Sequence, residues 1–395
     1  MATPAQRTNT WILNEWYDQA VAGTQGTYVG EQPLYMAGRN IQGNLAQNDA
    51  TPGYSSPVQV GTNTNWKRVC VPSDFRGVHA TKTDGTLWWW GATDNGSSGT
   101  NQKTTRSSPI QITGTTWNSL AAATDSSICT KTDGSLWVWG YGRYGQLANN
   151  DSGPSSSNNR SSPIQVGTET TWSSSVFSGY NAHGGIKTDG TMWFWGQNAN
   201  GVFGTNDRTE RSSPTQLPGT WSTTDGHFAF SYTTTLAIKN DGSLWAWGNN
   251  DYGQLGQGQP DNNHRSSPVQ VPGTNWSYVA SGISNMLAVN TSGELYSWGW
   301  GDYGYNGQNN RTEYKSPEKI GTGTDWAKCF TGHESSGGGM SAIKSDGSLY
   351  TWGRNEYGST GRNDTVSYIS SPTQIPGTWK MASPNNEISG YVSEL

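Results

Sequence analysis

Two glycine-rich strings are the first features of this 395-residue sequence that could support chemistry. GYGRYG (140–145) and GWGDYG (299–304) both match G-x-G-x-x-G, in which glycines let the backbone approach a dinucleotide phosphate. That function requires the string to follow a strand and open a helix, whereas each copy here belongs to a segment that recurs along the chain. We therefore expect these glycines to allow positive φ angles in loops, and we expect no cofactor.

Histidine, cysteine and serine side chains offer the other candidate chemistries. The three cysteines are too few and too scattered for a zinc site or a disulfide framework. Serine-rich strings such as SSSNNRSSP lack the neighbouring base that activates a nucleophile. No metal-ligand spacing is present among the five histidines, which are His79, His183, His227, His264 and His333. We predict no metal site and no enzymatic activity.

Composition excludes several classes of partner. Charged residues make up 13% of the chain and the formal net charge is -5, which argues against a phosphate-binding footprint because nucleic-acid affinity rests on Lys and Arg. The N-terminal MATPAQRTNT has neither a basic nor an apolar signal-peptide region, and no 18-residue apolar run occurs. We expect no nucleic-acid partner, no membrane insertion and no cleaved signal peptide.

The elements that would position any site are set by an internal repeat of about fifty residues. Each unit continues, after its opening tryptophan, through a turn such as Asp133-Gly134 to an apolar run ending in Trp-Gly, as at Trp139-Gly140, and then to a Ser-Pro. Seven tryptophans open units: Trp66, Trp117, Trp172, Trp221, Trp276, Trp326 and Trp379. The sequence therefore contains seven units.

The repeat predicts an all-β, closed seven-bladed β-propeller with four-stranded blades. Asp-Gly between apolar runs indicates a tight hairpin, and a strand that is apolar on both faces must be covered on both, as it is between neighbouring blades. The N-terminal fragment around Leu34–Gly38 aligns with a Trp-Gly strand but lacks inner strands, and the last unit ends early. We expect residues 379–392 to supply the two inner strands and residues 34–60 the two outer strands of one shared blade.

The chain divides, in this interpretation, into an N-terminal extension (1–33) and the propeller (34–395). Asn9-Thr10 could cap a short helix that Gly23 ends. Two alternatives remain open: the helix packs on its own propeller, or it docks the chain onto a larger assembly. The residues assigned to docking are Trp11, Ile12, Trp16 and Tyr17.

The repeat resembles a known family, the regulator of chromosome condensation repeat propellers. The likeness lies in KTDGSLWVWGYGRYGQLA, KNDGSLWAWGNNDYGQLGQG and RSSPVQV, and it covers about residues 34–395. It implies the propeller fold, whereas the family's activities vary: guanine-nucleotide exchange factors, ubiquitin-ligase modules, an ultraviolet-B photoreceptor and a secreted β-lactamase inhibitor. By position in the repeat, His183 alone matches the family's recurrent histidine, and we expect it to pack inside a blade.

A protein-binding rim is predicted on the loops between the first and second strands, which share a face with the long Gly-rich loops. These segments vary where the rest of the repeat does not, and they mix aromatic anchors with short polar groups. Ordinary loop sequence is the alternative. The rim residues are Phe75, Arg76, Asp125, Tyr180, Asn181, Phe228, Phe230, Tyr232, Asn285, His333, Glu334, Asn385, Asn386 and Glu387.

Three functional hypotheses follow, all of them for a binding scaffold. TNTWILNEWYDQ and the uncharged, Trp-rich repeats look like repeat-propeller virion proteins of tailed phages. Our first hypothesis is therefore a virion protein, assembled in a host cytoplasm, that attaches to other virion subunits through its N-terminal segment and recognises a host surface protein or glycan. The alternative is a cytoplasmic guanine-nucleotide exchange factor for a small GTPase, although no basic tail or wedge loop is evident. Ultraviolet sensing by tryptophan ranks third.

Overall fold

The computed structural model describes residues 31–49, 53–72, 77–153, 158–258, 263–273, 275–332, 339–385 and 387–394. The chain separates into two units between Glu31 and Gln32, and the second unit is the propeller. The predicted N-terminal helix, with its docking residues, lies outside the described residues.

Within the described residues, twenty-eight strands form seven four-stranded antiparallel sheets. The first two of these strands are β1 (Leu34–Arg39) and β2 (Gly53–Gln59). Blade 1 is β3 (Trp66–Cys70), β4 (Gly77–Lys82), β5 (Leu87–Gly91) and β6 (Arg106–Ile112); blade 2 is β7 (Ala121–Ala122), β8 (Ser126–Thr130), β9 (Leu136–Gly140) and β10 (Arg160–Gln165); blade 3 is β11 (Trp172–Ser178), β12 (Ala182–Lys187), β13 (Met192–Gly196) and β14 (Arg211–Leu217).

The second half of the chain repeats this pattern. Blade 4 is β15 (Phe228–Phe230), β16 (Thr234–Ile238), β17 (Leu244–Gly248) and β18 (Arg265–Gln270); blade 5 is β19 (Trp276–Ser281), β20 (Asn285–Asn290), β21 (Leu295–Gly299) and β22 (Tyr314–Lys319), with a 3-10 turn at Asp302–Gly304; blade 6 is β23 (Trp326–Thr331), β24 (Met340–Lys344), β25 (Leu349–Arg354) and β26 (Tyr368–Ile375). The last strands are β27 (Trp379–Ser383) and β28 (Ile388–Ser393).

The two chain ends build the seventh blade together, as predicted. Its sheet order is β2-β1-β28-β27, so the C-terminal segment supplies the two inner strands and the N-terminal segment the two outer strands. Strands β1 and β28 pair antiparallel, with Leu34 opposite Val392 and Gly38 opposite Ile388. This pairing satisfies strand edges that an open row of blades would expose to water or to other chains.

Adjacent blades are joined by a hydrogen bond that recurs around the ring. The buried indole of each Trp-Gly tryptophan donates its Nε1 proton to a carbonyl in the Gly-rich loop of the preceding blade, over 2.7–3.0 Å. The six donors are Trp90, Trp139, Trp195, Trp247, Trp298 and Trp352. The shared blade has Ala37 at this position, and the Tyr391 hydroxyl donates instead to the Ser359 carbonyl over 2.8 Å. The ring is therefore closed by the same kind of contact seven times.

In five blades, a lysine at the end of the second strand or just after it precedes the hairpin turn. In blade 1 the Lys82 ammonium lies 4.7 Å from the ring centre of Trp66 and 4.1 Å from that of Trp88. Lys131, Lys187 and Lys239 repeat the arrangement over two tryptophans, and Lys344 over Trp326 and Tyr350. Cation-π contacts thus account for the lysines that precede the turns.

Strand direction assigns every loop to one of two faces. Because neighbouring strands are antiparallel, the first and third strands of a blade run the same way and end on the same side of the ring. That side, the loop face, carries the connections from first to second strand and the Gly-rich loops. The opposite side, the turn face, carries the Asp-Gly hairpins. At Gly85 φ is +78°, and a Cβ would lie 2.2 Å from the Thr115 carbonyl oxygen, so this turn requires glycine.

Candidate functional site

Part of the predicted rim is exposed on the loop face. Tyr180 is 43% exposed, and its ring centre lies 4.9 Å from that of the partly buried Tyr232 on the next blade. Asp125 accepts a hydrogen bond from Asn95 over 3.1 Å, and the Glu387 carboxylate pairs with Arg39 over 2.9 Å. Tyr180 is the most exposed of these rim residues, whereas the Glu387 side chain is 17% exposed.

Other predicted rim residues are buried. Phe230 is 2% exposed and packs with Phe177 and Phe194, because the inner strand of blade 4 begins at Phe228 and draws both phenylalanines toward the core. Phe228 stacks on Phe177 with ring centres 3.7 Å apart. These two side chains therefore help to join blades 3 and 4.

The three predicted rim asparagines other than Asn386 also lie below the surface. Asn181 donates to the Gln197 side chain over 3.0 Å, and Asn385 to the Pro72 carbonyl over 2.9 Å. Asn285 is 3% exposed, and neither of its amide atoms has a hydrogen-bond partner among the described residues. The first two asparagines stabilise loop conformations. Phe75, Arg76, His333, Glu334 and Asn386 lie outside the described residues.

Aromatic and arginine side chains form three groups of contacts along the loop face, the first of which is the pair Tyr180 and Tyr232. Trp300 lies 5.8 Å from Tyr252 and 6.1 Å from Tyr303, measured between ring centres. The Arg354 guanidinium lies 5.2 Å from the Tyr303 ring, and that of Arg39 lies 5.0 Å from the Tyr357 ring. We define the aromatic-arginine arc as Tyr180, Tyr232, Tyr252, Trp300, Tyr303, Arg354, Tyr357 and Arg39.

Acidic groups fix the two arginines of the arc. Arg354 donates to Glu356 over 2.7 Å, which raises its pKa, and one nitrogen of Arg39 contacts both oxygens of Glu387 at 2.9 and 3.0 Å. Each guanidinium is therefore held in place by an acidic side chain. Held arginines beside partly exposed aromatic rings are typical of the side chains that contribute most to protein-protein binding.

Sequence reasoning missed most of this arc because its members lie in the Gly-rich loops and at the ends of third strands. These segments belong to the repeat, so their side chains did not stand out in the sequence. One signal was present: Trp300 is among the few tryptophans that do not occupy a repeated position. The histidine prediction is confirmed, since His183 is fully buried. Its ring nitrogens contact Ser126 of blade 2 at 2.9 Å and Ser178 at 2.7 Å, and burial lowers its pKa to about 3.

Metal-ligand clusters and cysteine reactivity can be assessed in the described part of the chain. No three His, Cys, Asp or Glu side chains converge there to hold a metal ion. Burial raises the pKa of the Cys70 thiol to about 11, which disfavours the nucleophilic thiolate. Among the same residues, no helix has the length and apolar character needed to cross a bilayer.

Fold and surface together define a closed seven-bladed propeller whose loop face carries aromatic and arginine side chains. Comparison with known proteins gives the family. The RCC1-like domain model matches residues 13–341, and a regulator of chromosome condensation (RCC1) repeat matches residues 346–383. The chain belongs to the RCC1-like domain family, as the sequence resemblance indicated.

This chain spans less than half the length of the curated relatives that it matches. The ultraviolet-B receptor UVR8 of Arabidopsis thaliana is 31% identical over 194 residues, which cover 48% of this chain and 43% of the receptor. The human E3 ubiquitin-protein ligase HERC2 is 28% identical over 203 residues, 49% of this chain and 4% of the ligase. The RCC2 homolog of Danio rerio is 34% identical over 125 residues, 31% of this chain and 25% of that protein.

Solved structures match almost the whole propeller. Human WBSCR16 superposes with a TM-score of 0.80 at 17% identity, covering 92% of this chain and 99% of that one. Prp20p from Saccharomyces cerevisiae, described with its binding to Gsp1p and histones, gives 0.79 at 17% identity, covering 93% and 92%. At this identity the match demonstrates the fold and no more.

The comparisons correct the virion hypothesis. The matching relatives are a plant light receptor, a ubiquitin ligase and RCC2 homologs, all from eukaryotes, and none of these is a virion protein. The first hypothesis is therefore wrong, and these relatives favour the alternative, a regulator of the exchange-factor type. The likeness to phage proteins rested on low charge and abundant Trp, Asn and Thr, which a neutral propeller surface also requires.

Proposed function

We propose that this chain is a non-catalytic, protein-binding regulator whose loop face holds a small GTPase and promotes release of its bound nucleotide. The aromatic-arginine arc carries the proposal. It extends over the loop face from blade 3 to the shared blade, and it consists of side chains that combine large contact area with directed hydrogen bonds.

The closed ring supplies a rigid support for this surface. The Trp-Gly hydrogen bonds and the Tyr391 bond of the shared blade fix the Gly-rich loops of successive blades, and four arc residues belong to those loops: Tyr252, Trp300, Tyr303 and Tyr357. A surface that is ordered before binding loses less conformational entropy when a partner docks.

Family membership supports the choice of a GTPase, since exchange factors are among the activities that the resemblance implies. A binding protein accelerates nucleotide release only if it binds the nucleotide-free GTPase more tightly than the loaded form, because a ligand shifts an equilibrium by its differential affinity. The proposal therefore requires preferential binding as well as contact.

The test is release of a fluorescent GDP analogue from a panel of purified small GTPases, with and without the full chain. We expect one GTPase to release nucleotide at least about tenfold faster, a difference of about 1.4 kcal/mol. Trp300→Ala and Arg354→Ala should abolish the acceleration.

Matched controls lie on the same face but outside the arc. Tyr144 and Arg143 of blade 2 also contact each other, at 5.5 Å between guanidinium and ring centre. Tyr144→Ala and Arg143→Ala should leave exchange unchanged. Binding of a GTPase without faster release would retain a protein-binding face and refute exchange, whereas equal losses in arc and control variants would refute the assignment of the face.

A further inference from the structure

The central channel has a charged mouth on the turn face, opposite the aromatic-arginine arc. A cavity of about 430 Å³ runs through the channel between the inner strands. Its lining includes four cations, which are Lys67, Arg68, Lys328 and Lys380, and a single carboxylate, Asp225. We call these five residues the cationic mouth. Its net charge of +3 (four minus one) contrasts with the -5 of the whole chain.

Topology places the mouth on the turn face. Lys67 and Arg68 are the second and third residues of β3, Lys328 is the third of β23, and Lys380 is the second of β27. These strands start at the turn face and belong to three adjacent blades, so the four cations lie together on one side of the channel. Asp225 lies opposite, just before β15 of blade 4.

The chain already places a carboxylate in this mouth. Arg68 and Asp225 are 157 positions apart in sequence, and their side chains meet across the channel at 3.0 Å. The Arg68 side chain is 27% exposed and that of Asp225 is 70% exposed. An ion pair with one partner this exposed contributes about 0–1 kcal/mol. Arg68 therefore provides a positioned cationic group that binds a carboxylate. Asp225 is its present partner, and another carboxylate can displace it.

The lysines of the mouth have neutral or distant partners. Lys67 donates to the backbone carbonyl and the side-chain oxygen of Asn118, at 2.9 and 3.0 Å. Lys328 donates to the backbone carbonyl of Lys380 at 3.0 Å, and the Lys380 ammonium lies 3.9 Å from Glu394. Burial is the main factor that lowers the pKa of Lys67 and of Lys328, with Arg68 adding repulsion at Lys67. A concave site with excess positive charge attracts anions strongly.

Below the charges, the wall becomes apolar. Val69, Leu120, Val176, Val279 and Met381 line the same cavity, and Tyr278 lies beside Asp225. Nucleic-acid recognition generally requires a basic stripe that follows many phosphates, whereas this site is one narrow opening with an apolar interior. An extended peptide that alternates carboxylate and apolar side chains fits both features.

We propose that the cationic mouth binds an acidic, partly apolar peptide segment of a protein partner, and that its leading carboxylate replaces Asp225 on Arg68. The site is independent of the GTPase-binding proposal, because it lies at the other end of the channel and uses different residues. It gives the propeller a second contact point.

Fluorescence anisotropy with the full chain tests this directly. The probe is a fluorescein-labelled decapeptide of alternating Glu and Leu, and the same peptide with Gln for Glu is its control. We expect saturable binding of the acidic peptide and about tenfold weaker binding of the neutral one. Arg68→Gln and Lys328→Gln should each weaken the acidic peptide by about fivefold to tenfold.

Asp225→Asn supplies the decisive variant, because it should tighten peptide binding by about threefold when the internal competitor is removed. Misfolding cannot produce such a gain. Lys103→Gln, at an exposed position on a Gly-rich loop, makes the same charge change as Lys328→Gln and should leave affinity unchanged.

Four results would overturn the proposal: no binding of the acidic peptide, no gain from Asp225→Asn, equal weakening by Lys103→Gln, or tighter binding of a labelled single-stranded oligonucleotide through the same residues. Trp300→Ala should not change peptide affinity. A failure of the peptide-binding proposal is therefore distinguishable from a failure of the exchange proposal.

Discussion

The two ends of the channel are built on the same seven blades, yet they differ in chemistry. The loop face carries aromatic rings and arginines held by nearby carboxylates, as at Arg354 and Glu356. The turn face carries repeated lysines stacked on tryptophan and, at its centre, four cations with one carboxylate. The four central cations of the turn face depart from the repeat. The loop face combines a side chain that departs from it, Trp300, with Tyr252, Tyr303 and Tyr357, which each precede a recurring loop glycine.

Two distinct ends of one channel exist only if the ring is closed. Removal of residues 379–395 is the most severe test of that closure. The deletion takes away β27 and β28, with buried Trp379 and Tyr391. Loss of a buried large aromatic side chain costs about 3–5 kcal/mol, so the sum approaches the whole stability of a typical domain. We expect loss of cooperative unfolding, followed by tryptophan fluorescence in urea. Removal of Leu395 alone is the control, and an unchanged midpoint in the long deletion would refute the closed ring.

A pair of tryptophan substitutions separates the repeated core from the loop face. Trp195 is fully buried and donates to the Gln146 carbonyl over 2.9 Å, so Trp195→Ala should destabilise the fold by about 3–5 kcal/mol. Trp300 is partly exposed in the arc, and Trp300→Ala should cost about 1 kcal/mol or less. Urea unfolding of both variants measures the difference. Similar losses would show that the arc is part of the core.

Acid should weaken the core through its buried histidines. Burial lowers the pKa of His79 and of His183 from 6.5 to about 3 in the folded chain. Between these values the unfolded chain binds a proton that the folded chain excludes. Stability therefore falls as pH falls from about 6.5 toward 3, by about 1.4 kcal/mol per pH unit for each histidine near pH 5.

The variant His183→Gln should reduce the slope of unfolding free energy against pH by the contribution of one histidine. Urea unfolding at pH 6.5, 5.5 and 4.5 measures this slope. The wild-type chain at the same pH values is the reference. An unchanged slope in the variant would contradict a neutral, buried His183.

Substitutions of two lysines on the turn face should give the smallest changes in stability, and the two changes should differ from each other. Lys239 lies 5.2 Å from the Trp221 ring centre and 4.1 Å from that of Trp245, so Lys239→Met should destabilise the fold by about 0.5–1 kcal/mol. Lys67 has no such contact in the described structure and carries uncompensated charge, so Lys67→Met should change stability by less than about 0.5 kcal/mol. Thermal unfolding compares them, and a larger loss at Lys67 would make the mouth a structural feature.

The sequence was sufficient to predict the shared blade. The opening tryptophans recur every 49 to 55 residues, the first fragment lacks inner strands and the last unit lacks outer strands, so the ends had to complete each other. It was not sufficient to predict exposure within the loops. Phe230 and Asn285 fall in segments that vary among the repeats, but the inner strand of blade 4 buries the first, and the start of β20 buries the second.

Spacing by itself determined the number of units, the hairpins and the closure of the ring, because those depend on local turn chemistry and on side chains that alternate along strands. Only the tertiary structure decided which residues meet at the two ends of the channel. Arg68 pairs with Asp225, 157 positions away, because the closed ring brings distant blades together across its axis. Arg39 pairs with Glu387, 348 positions away, because the two chain ends meet in the shared blade. No periodic pattern in a linear chain encodes such a meeting, since it depends on the curvature that seven packed blades produce together.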